Sequence, residues 1–164
     1  MKFLVGSGKA LQFQLEEFPW SRIFLPSKLL VVGIEERNNA VAACGIRSIL
    51  NVLTLYVRKQ HRGRGLGRKT LAKTIDVAKK FGLRFILLGA YSDNPSAYNL
   101  YSTVGFKEIV HIKRPDMMFM MFPLSFEGEL AYAFLNVACS WLPKSLLSGF
   151  AQWFEARTIS GSVD

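Results

Sequence analysis

The sequence predicts an α/β fold in which a mixed β-sheet is flanked by helices, and two patterns carry this prediction. Short apolar and β-branched runs, typical of strands, occupy the segments 29–58 and 84–122. Between them, from Leu66, apolar residues recur every three or four positions, which is typical of an amphipathic helix. Because a strand, a helix and a strand in succession favour a parallel pair with a right-handed crossover, the sheet should not be purely antiparallel.

Length and composition indicate one well-packed domain with an anionic partner. Of the 164 residues, 50% are hydrophobic and 20% charged, which suffices for one substantial core. The net charge of +9 suggests nucleic acid, a membrane surface or a phosphorylated ligand. Cys44 and Cys139 lie in apolar runs, which favours core thiols over a disulfide scaffold or a metal site. Since no apolar run suits a signal peptide or a membrane span, we expect a soluble, cytoplasmic protein.

The strands are predicted from hydrophobic runs and turn chemistry. Leu11 to Glu16 alternates apolar and polar residues, which indicates an early half-buried strand, although a short helix would also fit. Turns are expected at Arg37-Asn38-Asn39, where asparagine tolerates positive φ, and at Arg114-Pro115-Asp116. The remaining strands are predicted at Leu29–Glu36, Ala40–Ile46, Asn51–Arg58, Arg84–Ala90, Phe106–Lys113 and Met117–Phe122.

Three helical segments follow from periodicity and capping residues. The first runs from Leu66 to Phe81 and ends at Gly82; the second begins at Asn94-Pro95 and ends at Gly105. The third, Glu127 to Arg157, is strongly apolar and interrupted by a proline. We expect residues 1–126 to form the main domain and residues 127–164 to be an extension that packs on it or on a dimer partner. A membrane-surface role is the alternative, but basic residues in this segment are sparse.

A glycine-rich loop, Arg62-Gly63-Arg64-Gly65-Leu66-Gly67, lies between a predicted strand and a predicted helix. Unpaired amides and the helix dipole make such a junction a phosphate site, and the glycines let a ligand oxygen approach the backbone. The loop lacks the Gly-Lys-Thr order of a Walker motif, because Arg68 precedes Lys69-Thr70. It also lacks the third glycine of a dinucleotide fingerprint. Glycines that merely form a loop are the structural alternative.

Two motifs in order identify a family. Val57-x₄-Arg62-x₂-Gly65-x-Gly67 precedes the helix, and Asn94-x₂-Ala97-x₂-Leu100-Tyr101-x₃-Gly105-Phe106 follows the next strand. Together they closely resemble the GNAT superfamily of acyl-CoA-dependent N-acetyltransferases. The resemblance covers about residues 29–122 and implies the splayed mixed sheet of that family.

The resemblance also implies an acetyl-CoA site. The cofactor would lie between the strands at 51–57 and 85–90, with its pantetheine arm paired to strand main chain and its pyrophosphate on the loop amides. Asn94 would bond the pantetheine or nearby backbone, and Tyr101 would protonate the departing thiolate. The residues assigned to the cofactor in this way are Leu55, Tyr56, Val57, Arg62, Gly63, Arg64, Gly65, Leu66, Gly67, Arg68 and Asn94; no metal is expected.

A general base is not evident. Some members of the family carry a glutamate near the start of the fourth strand, where this chain has Asn51-Val52-Leu53-Thr54. A proton path relayed by water is the leading interpretation, and Glu35, Glu36, Asp93 and His61 are the fallback candidates. Tyr98 is interpreted as a packing residue, and His111 as an ordinary surface or core histidine.

Three functions remain open at this point. The first is acetyl transfer from acetyl-CoA to an unidentified amine, chosen by loops near Pro19–Leu25 and Arg114–Asp116. A CoA-binding module without catalysis is the second, suggested by the missing base. The third is a basic nucleic-acid-binding domain, because the Arg-rich loop could meet a phosphate backbone.

Overall fold

The computed structural model describes residues 1–6, 12–13, 29–47, 52–113 and 116–158, with only the backbone at 29, 47 and 153–158. The chain divides into two compact units, Met1–Gly82 and Leu83–Asp164, and each is described by itself.

The first unit is built on four consecutive antiparallel strands. They are β1 (Lys2–Val5), β2 (Leu29–Glu36), β3 (Asn39–Arg47) and β4 (Val52–Val57). A turn at Arg37 and Asn38, both with positive φ, joins β2 to β3, as the sequence predicts. A single 3₁₀ turn, Lys59–His61, follows β4, and helix α1 (Leu66–Lys80) completes the unit.

The predicted strand at Leu11–Glu16 is wrong where the structure describes it. Gln12 and Phe13 are helical, and the rest of that segment lies outside the described residues. The first strand is instead β1, whose only buried side chain is Leu4, so it carries no alternating signal. Phe13 is buried beside Leu4 and Val31. Six alternating residues do not distinguish a strand from a short helical turn, and the tertiary contact of Phe13 decides the outcome.

The core of the first unit lies between β2, β3 and α1. Leu66 at the start of α1 is buried with Ile34, Val41 and Ala42, which anchors the beginning of the helix to the sheet. Thr70, although polar, is fully buried, and its hydroxyl donates to the Leu66 carbonyl at 2.8 Å. On β3, burial raises the pKa of the Cys44 thiol to about 12, so this cysteine is an inert core residue.

The described residues of the second unit form three antiparallel strands and three helices, with β7 between β5 and β6. Its elements are β5 (Phe85–Tyr91), α2 (Pro95–Val104), β6 (Lys107–Lys113), β7 (Asp116–Pro123), α3 (Phe126–Trp141) and α4 (Lys144–Thr158). These bounds agree with the predicted ranges to within one or two residues. The predicted turn residues 114 and 115 lie outside the described part of the chain.

Helix α3 packs against β6 and β7 through one of its faces, and its first turn lies against Arg84, just before β5. The Tyr132 hydroxyl donates to the Glu108 carbonyl at 3.0 Å. Gly128 sits so close to the Arg84 carbonyl that a Cβ there would lie 2.0 Å from the oxygen, so only glycine fits. Cys139, predicted as a core thiol, is only half-buried. The C-terminal helices therefore cover the sheet of their own unit.

In the residues that the structure describes, no helix is both long and apolar enough to span a membrane.

Candidate active site

The glycine-rich loop of the first unit joins β4 to α1 through a backbone that only glycine adopts readily. Gly63 and Gly65 have φ of 75° and 72°, in the left-handed region that L side chains rarely occupy. A Cβ built at either position meets nothing within 4 Å, so the space in front of both residues is open. The loop residues 62–65 are exposed to solvent. The sequence prediction of a turn with accessible main chain is consistent with this geometry.

The start of helix α1 leaves its first amides available. Gly65 is the N-cap and has no side chain to offer, and no described side chain caps the helix in its place. Lys69 is the first residue whose amide pairs within the helix, to the Gly65 carbonyl at 3.1 Å. The amides of Leu66, Gly67 and Arg68 therefore lie ahead of the helical hydrogen bonds, at the positive end of the dipole. This arrangement suits a phosphate group.

The arginines of the loop are partly engaged by the protein itself. Arg62 donates from Nε to the Val57 carbonyl at 3.0 Å and lies 5.8 Å from the centre of the Tyr56 ring. Arg64 forms a bidentate pair with Glu36, with both N–O distances 3.0 Å. These contacts hold the loop against the ends of β4 and β2. The partner of Arg64 lies 28 residues away, and nothing in the sequence signals the pair.

Arg68 differs from the two other arginines. It lies in the first turn of α1 and is exposed. Its charge therefore adds to that of the helix dipole at the solvent-facing start of the helix.

A cavity of about 610 Å³ lies beside the loop within the first unit. Its walls include Glu36, Arg58, His61 and Arg64. His61 Nδ1 lies 2.9 Å from an Arg64 nitrogen and 3.5 Å from the Glu36 carboxylate. Two of the fallback base candidates, Glu36 and His61, are thus bound to the same guanidinium, which is a poor setting for proton abstraction.

The strand predicted at Asn51–Arg58 is present as β4. Leu55, Tyr56 and Val57 pair with residues 42–44 of β3 along one edge. Glu35, another base candidate, is buried in β2. No carboxylate lies within β4 itself, whose residues are Val52–Val57.

In the second unit, helix α2 has the predicted ends. The Asn94 side chain accepts a hydrogen bond from the Ala97 amide at 3.1 Å, with Pro95 in the first turn. Gly105, with φ of 112°, ends the helix. Asn94 is therefore first of all the cap of α2, and its contact is with neighbouring backbone. Asp93, the last base candidate, is exposed before the cap.

Tyr101 is the single buried residue of α2 among those described, with 8% of its surface exposed. Its ring packs against Phe106 at 5.7 Å between centroids, and its carbonyl accepts from the Phe106 amide at 3.0 Å. Tyr98 is half-buried, and its hydroxyl donates to the Glu108 carboxylate, which raises the tyrosine pKa. The two tyrosines thus occupy different environments on the same helix.

A cluster that the sequence analysis missed joins the end of β5 to the β6–β7 pair. Ser92 Oγ donates to Asp116 at 2.9 Å and lies 3.2 Å from His111 Nε2. The same His111 nitrogen contacts Asp116 at 2.5 Å. Because one nitrogen faces both partners, the ring cannot relay a proton between them as in a hydrolase triad. The cluster is a structural tie, so His111 is more than the ordinary histidine expected.

We expect this cluster to make the stability of the fold depend on pH through the carboxyl group of Asp116. Hydrogen bonds from His111 and then Ser92 lower the Asp116 pKa below its usual 3.8. A carboxyl whose folded pKa is lowered stabilises the fold above its ordinary pKa, and this is lost as pH falls through the folded value. In urea unfolding, wild type should therefore be more stable than Asp116→Asn at pH 6, and the difference should shrink as the pH falls below 3.8. Asp76→Asn, an exposed site on α1, is the control, and a constant difference for Asp116→Asn across this range would contradict the assignment.

Among the described residues, no three His, Cys, Asp or Glu side chains are grouped so as to hold a metal ion.

Comparisons with known proteins agree with these motifs. Residues 7–106 match the model of the Acetyltransferase (GNAT) family. A methionine sulfoximine and methionine sulfone acetyltransferase of Salmonella typhimurium is 38% identical over 53 residues, 32% of this chain and 31% of that protein. The chain thus matches about a third of the length of this curated relative.

Solved structures share the fold. A Salmonella typhimurium protein described as an acetyltransferase, solved with its cofactor acetyl-CoA, has a TM-score of 0.57 and 24% identity, covering 65% of this chain and 71% of that one. A ribosomal-protein-S18-alanine N-acetyltransferase of Escherichia coli has a TM-score of 0.63 and 19% identity, covering 76% and 94%. The predicted α/β class is confirmed, and since the family model spans more than half of the sequence, the chain belongs to the GNAT family of acetyltransferases.

Proposed function

We propose that the protein transfers the acetyl group of acetyl-CoA to a primary amine of a small molecule or protein, by direct attack in a ternary complex. The observation that carries this proposal is the uncapped start of α1, reached through two left-handed glycines with open space before them. An anion is the natural complement of such a helix start. Membership of the family makes the pyrophosphate of CoA the candidate anion.

The cofactor is proposed to bind mainly through main chain. Amides between Gly63 and Arg68 would hold the pyrophosphate, with Leu66 and Gly67 among the donors and Arg68 adding its charge. The pantetheine arm would lie along Leu55–Val57 in the manner of an added strand. Asn94, carried over from the family motif, would bond the pantetheine or neighbouring backbone, and its side chain accepts from the Ala97 amide at 3.1 Å. The Arg62 and Arg64 contacts support this by keeping the loop in shape.

The chemistry requires a proton acceptor and a proton donor. An alkyl ammonium with a pKa of about 10.4 is only about 0.04% neutral at pH 7, so its proton must be removed before attack. We propose a relay through ordered water, because Glu36 and His61 are bound to Arg64. Tyr101, carried over from the family motif, would donate a proton to the CoA thiolate. A phenol with a pKa of about 10 can serve as this donor.

The acceptor is best sought among amino acids and their analogues first. The Salmonella relative is named for methionine sulfoximine and methionine sulfone, both of which carry an α-amino group. Polyamines, aminoglycosides and peptide N-termini are the other acceptors to be assayed. Residues 19–25 and 114–115, expected to influence this choice, lie outside the described residues.

Two measurements test the proposal. Acetyl-CoA should raise the unfolding temperature, since a ligand at a hundredfold excess over its Kd adds about 2.7 kcal/mol of stability. Thiol release from acetyl-CoA should then depend on one class of amine. A higher unfolding temperature with acetyl-CoA but no thiol release with any amine would indicate a CoA-binding module without catalysis. Stabilisation by duplex DNA or RNA in moderate salt, with none by acetyl-CoA, would indicate a nucleic-acid-binding domain.

Three wider features are proposed on separate grounds. A cytoplasmic location fits two cysteines that are both free thiols. The division into a catalytic domain at 1–126 and an extension at 127–164 follows from the family resemblance. A homodimer through the C-terminal helices is proposed from a surface of α3, described next.

A further inference from the structure

Helix α3 exposes large apolar side chains along its length. They are Phe126 (75% exposed), Leu130 (56%), Phe134 (72%), Val137 (59%) and Trp141 (84%). A scattered exposed leucine is common on a protein surface, but a contiguous apolar patch marks an interaction site. These exposed apolar side chains therefore indicate a surface that binds a partner.

These side chains form one stripe. Their spacings of four, four, three and four residues place them within about 80° of one another around a helix of 3.6 residues per turn. Sixteen residues make the stripe about 24 Å long. The opposite face already packs on its own unit, through the buried Gly128 and the hydrogen bonds from Tyr132 and Asn136 to Glu108. The stripe is thus the side of α3 that the described residues of its own unit leave uncovered.

The area of the stripe is that of a protein interface. An aromatic side chain buries roughly 150–250 Å², and Phe126, Phe134 and Trp141 are about three-quarters exposed. With the aliphatic members and the adjoining Leu142 and Leu146, the patch offers on the order of 700 Å². One partner of a standard interface contributes about 800 Å².

The charges of α3 favour a second copy of the chain over a lipid surface. Interfacial helices carry Lys and Arg on their polar face, whereas α3 has none and holds Glu127 and Glu129 in its first turn. Glu129 is paired with Lys107 of its own unit at 2.8 Å, so Glu127 is the acid of this turn that faces a partner. In an antiparallel pair, the positive dipole end of one helix faces the negative dipole end of the other, and the carboxylate of Glu127 comes near the cation that follows that end. Lys144 follows directly after that end.

We propose that the chain forms a two-fold symmetric dimer in which α3 packs antiparallel against α3 of a second copy, with the axis near Phe134. That residue lies at the middle of the stripe, so Phe126 comes opposite the partner's Trp141. Small Ala133, on the exposed side beside Phe134, leaves room for an aromatic ring from the other helix. The proposal is independent of acetyl transfer.

Sedimentation equilibrium of the full chain tests the dimer. We expect twice the 18.5 kDa of one chain at micromolar concentration. Phe134→Glu and Trp141→Glu should each weaken association at least a hundredfold, because a charge would be buried at the interface. Both side chains are exposed in one copy, so circular dichroism and unfolding should match wild type. Phe81→Glu, at a residue 70% exposed in the first unit, is the matched control and should remain dimeric.

A charge exchange tests the antiparallel arrangement. Glu127→Lys alone should weaken the dimer, and the double variant Glu127→Lys, Lys144→Glu should restore it.

Three outcomes would overturn the proposal. The first is a wild-type chain that stays monomeric at about 100 μM, where even a weak dimer with a Kd of about 10⁻⁴ M would be partly associated. The second is a dimer that survives both glutamate substitutions. The third is a monomer that floats with phosphatidylcholine–phosphatidylglycerol vesicles, which would assign the stripe to a membrane surface.

Discussion

Gly65→Ala is expected to weaken acetyl-CoA binding at least tenfold. The residue has φ of 72°, and an L side chain in the left-handed region costs roughly 1–2 kcal/mol. The new Cβ would also occupy part of the open space in front of the loop, where the pyrophosphate is proposed to lie. A tenfold loss corresponds to about 1.4 kcal/mol, which the loss of close backbone approach alone can supply. Isothermal titration with acetyl-CoA measures the change.

Gly82→Ala is a closely matched control for this substitution. Gly82 also has φ of 72° and also meets nothing within 4 Å of a built Cβ, but it follows the other end of the same helix. Both variants should therefore lose similar stability to urea. Equal acetyl-CoA affinity in the two variants would remove the phosphate role from the loop, and the enzyme proposal with it.

Tyr101→Phe is expected to lower kcat about a hundredfold while leaving acetyl-CoA affinity nearly unchanged. The substitution keeps the ring that packs on Phe106 and removes only the hydroxyl. General acid catalysis contributes about 10²–10⁴-fold, so the loss should appear in kcat. Steady-state rates of thiol release, together with the Kd of acetyl-CoA, separate the two effects.

Tyr98→Phe is the control on the same helix. Its hydroxyl is bound to Glu108, so its removal should change stability slightly and kcat little. A loss of acetyl-CoA affinity in Tyr101→Phe as large as the loss of kcat would assign Tyr101 to binding. Unchanged kcat would leave it a packing residue.

The elements that the sequence predicts well are those with local signals. Helix α2 is bounded by an asparagine cap, a proline in its first turn and a glycine at its end, and the structure uses all three. The turn between β2 and β3 forms at residues that tolerate positive φ. The loop before α1 is also predicted from local signals, because a strand, closely spaced glycines and an amphipathic helix follow one another directly in the sequence.

What the sequence missed depends on contacts between distant residues. The strand expected at Leu11–Glu16 is overridden where Phe13 packs on Leu4 and Val31. The pair of Glu36 and Arg64 spans 28 residues, and no periodicity or capping rule marks either end. The outward stripe of α3 has the spacing of a core-facing helix, so the pattern alone could not tell which apolar residues face solvent.

The Glu36–Arg64 pair has a consequence for the energetics of ligand capture. Two parallel charge-assisted bonds fasten the glycine-rich loop to the tip of a β-hairpin. The glycine-rich loop thus loses its conformational entropy when the chain folds, and not when a ligand binds. Because the loop is preorganised, a larger part of the free energy of each hydrogen bond to the ligand contributes to binding affinity.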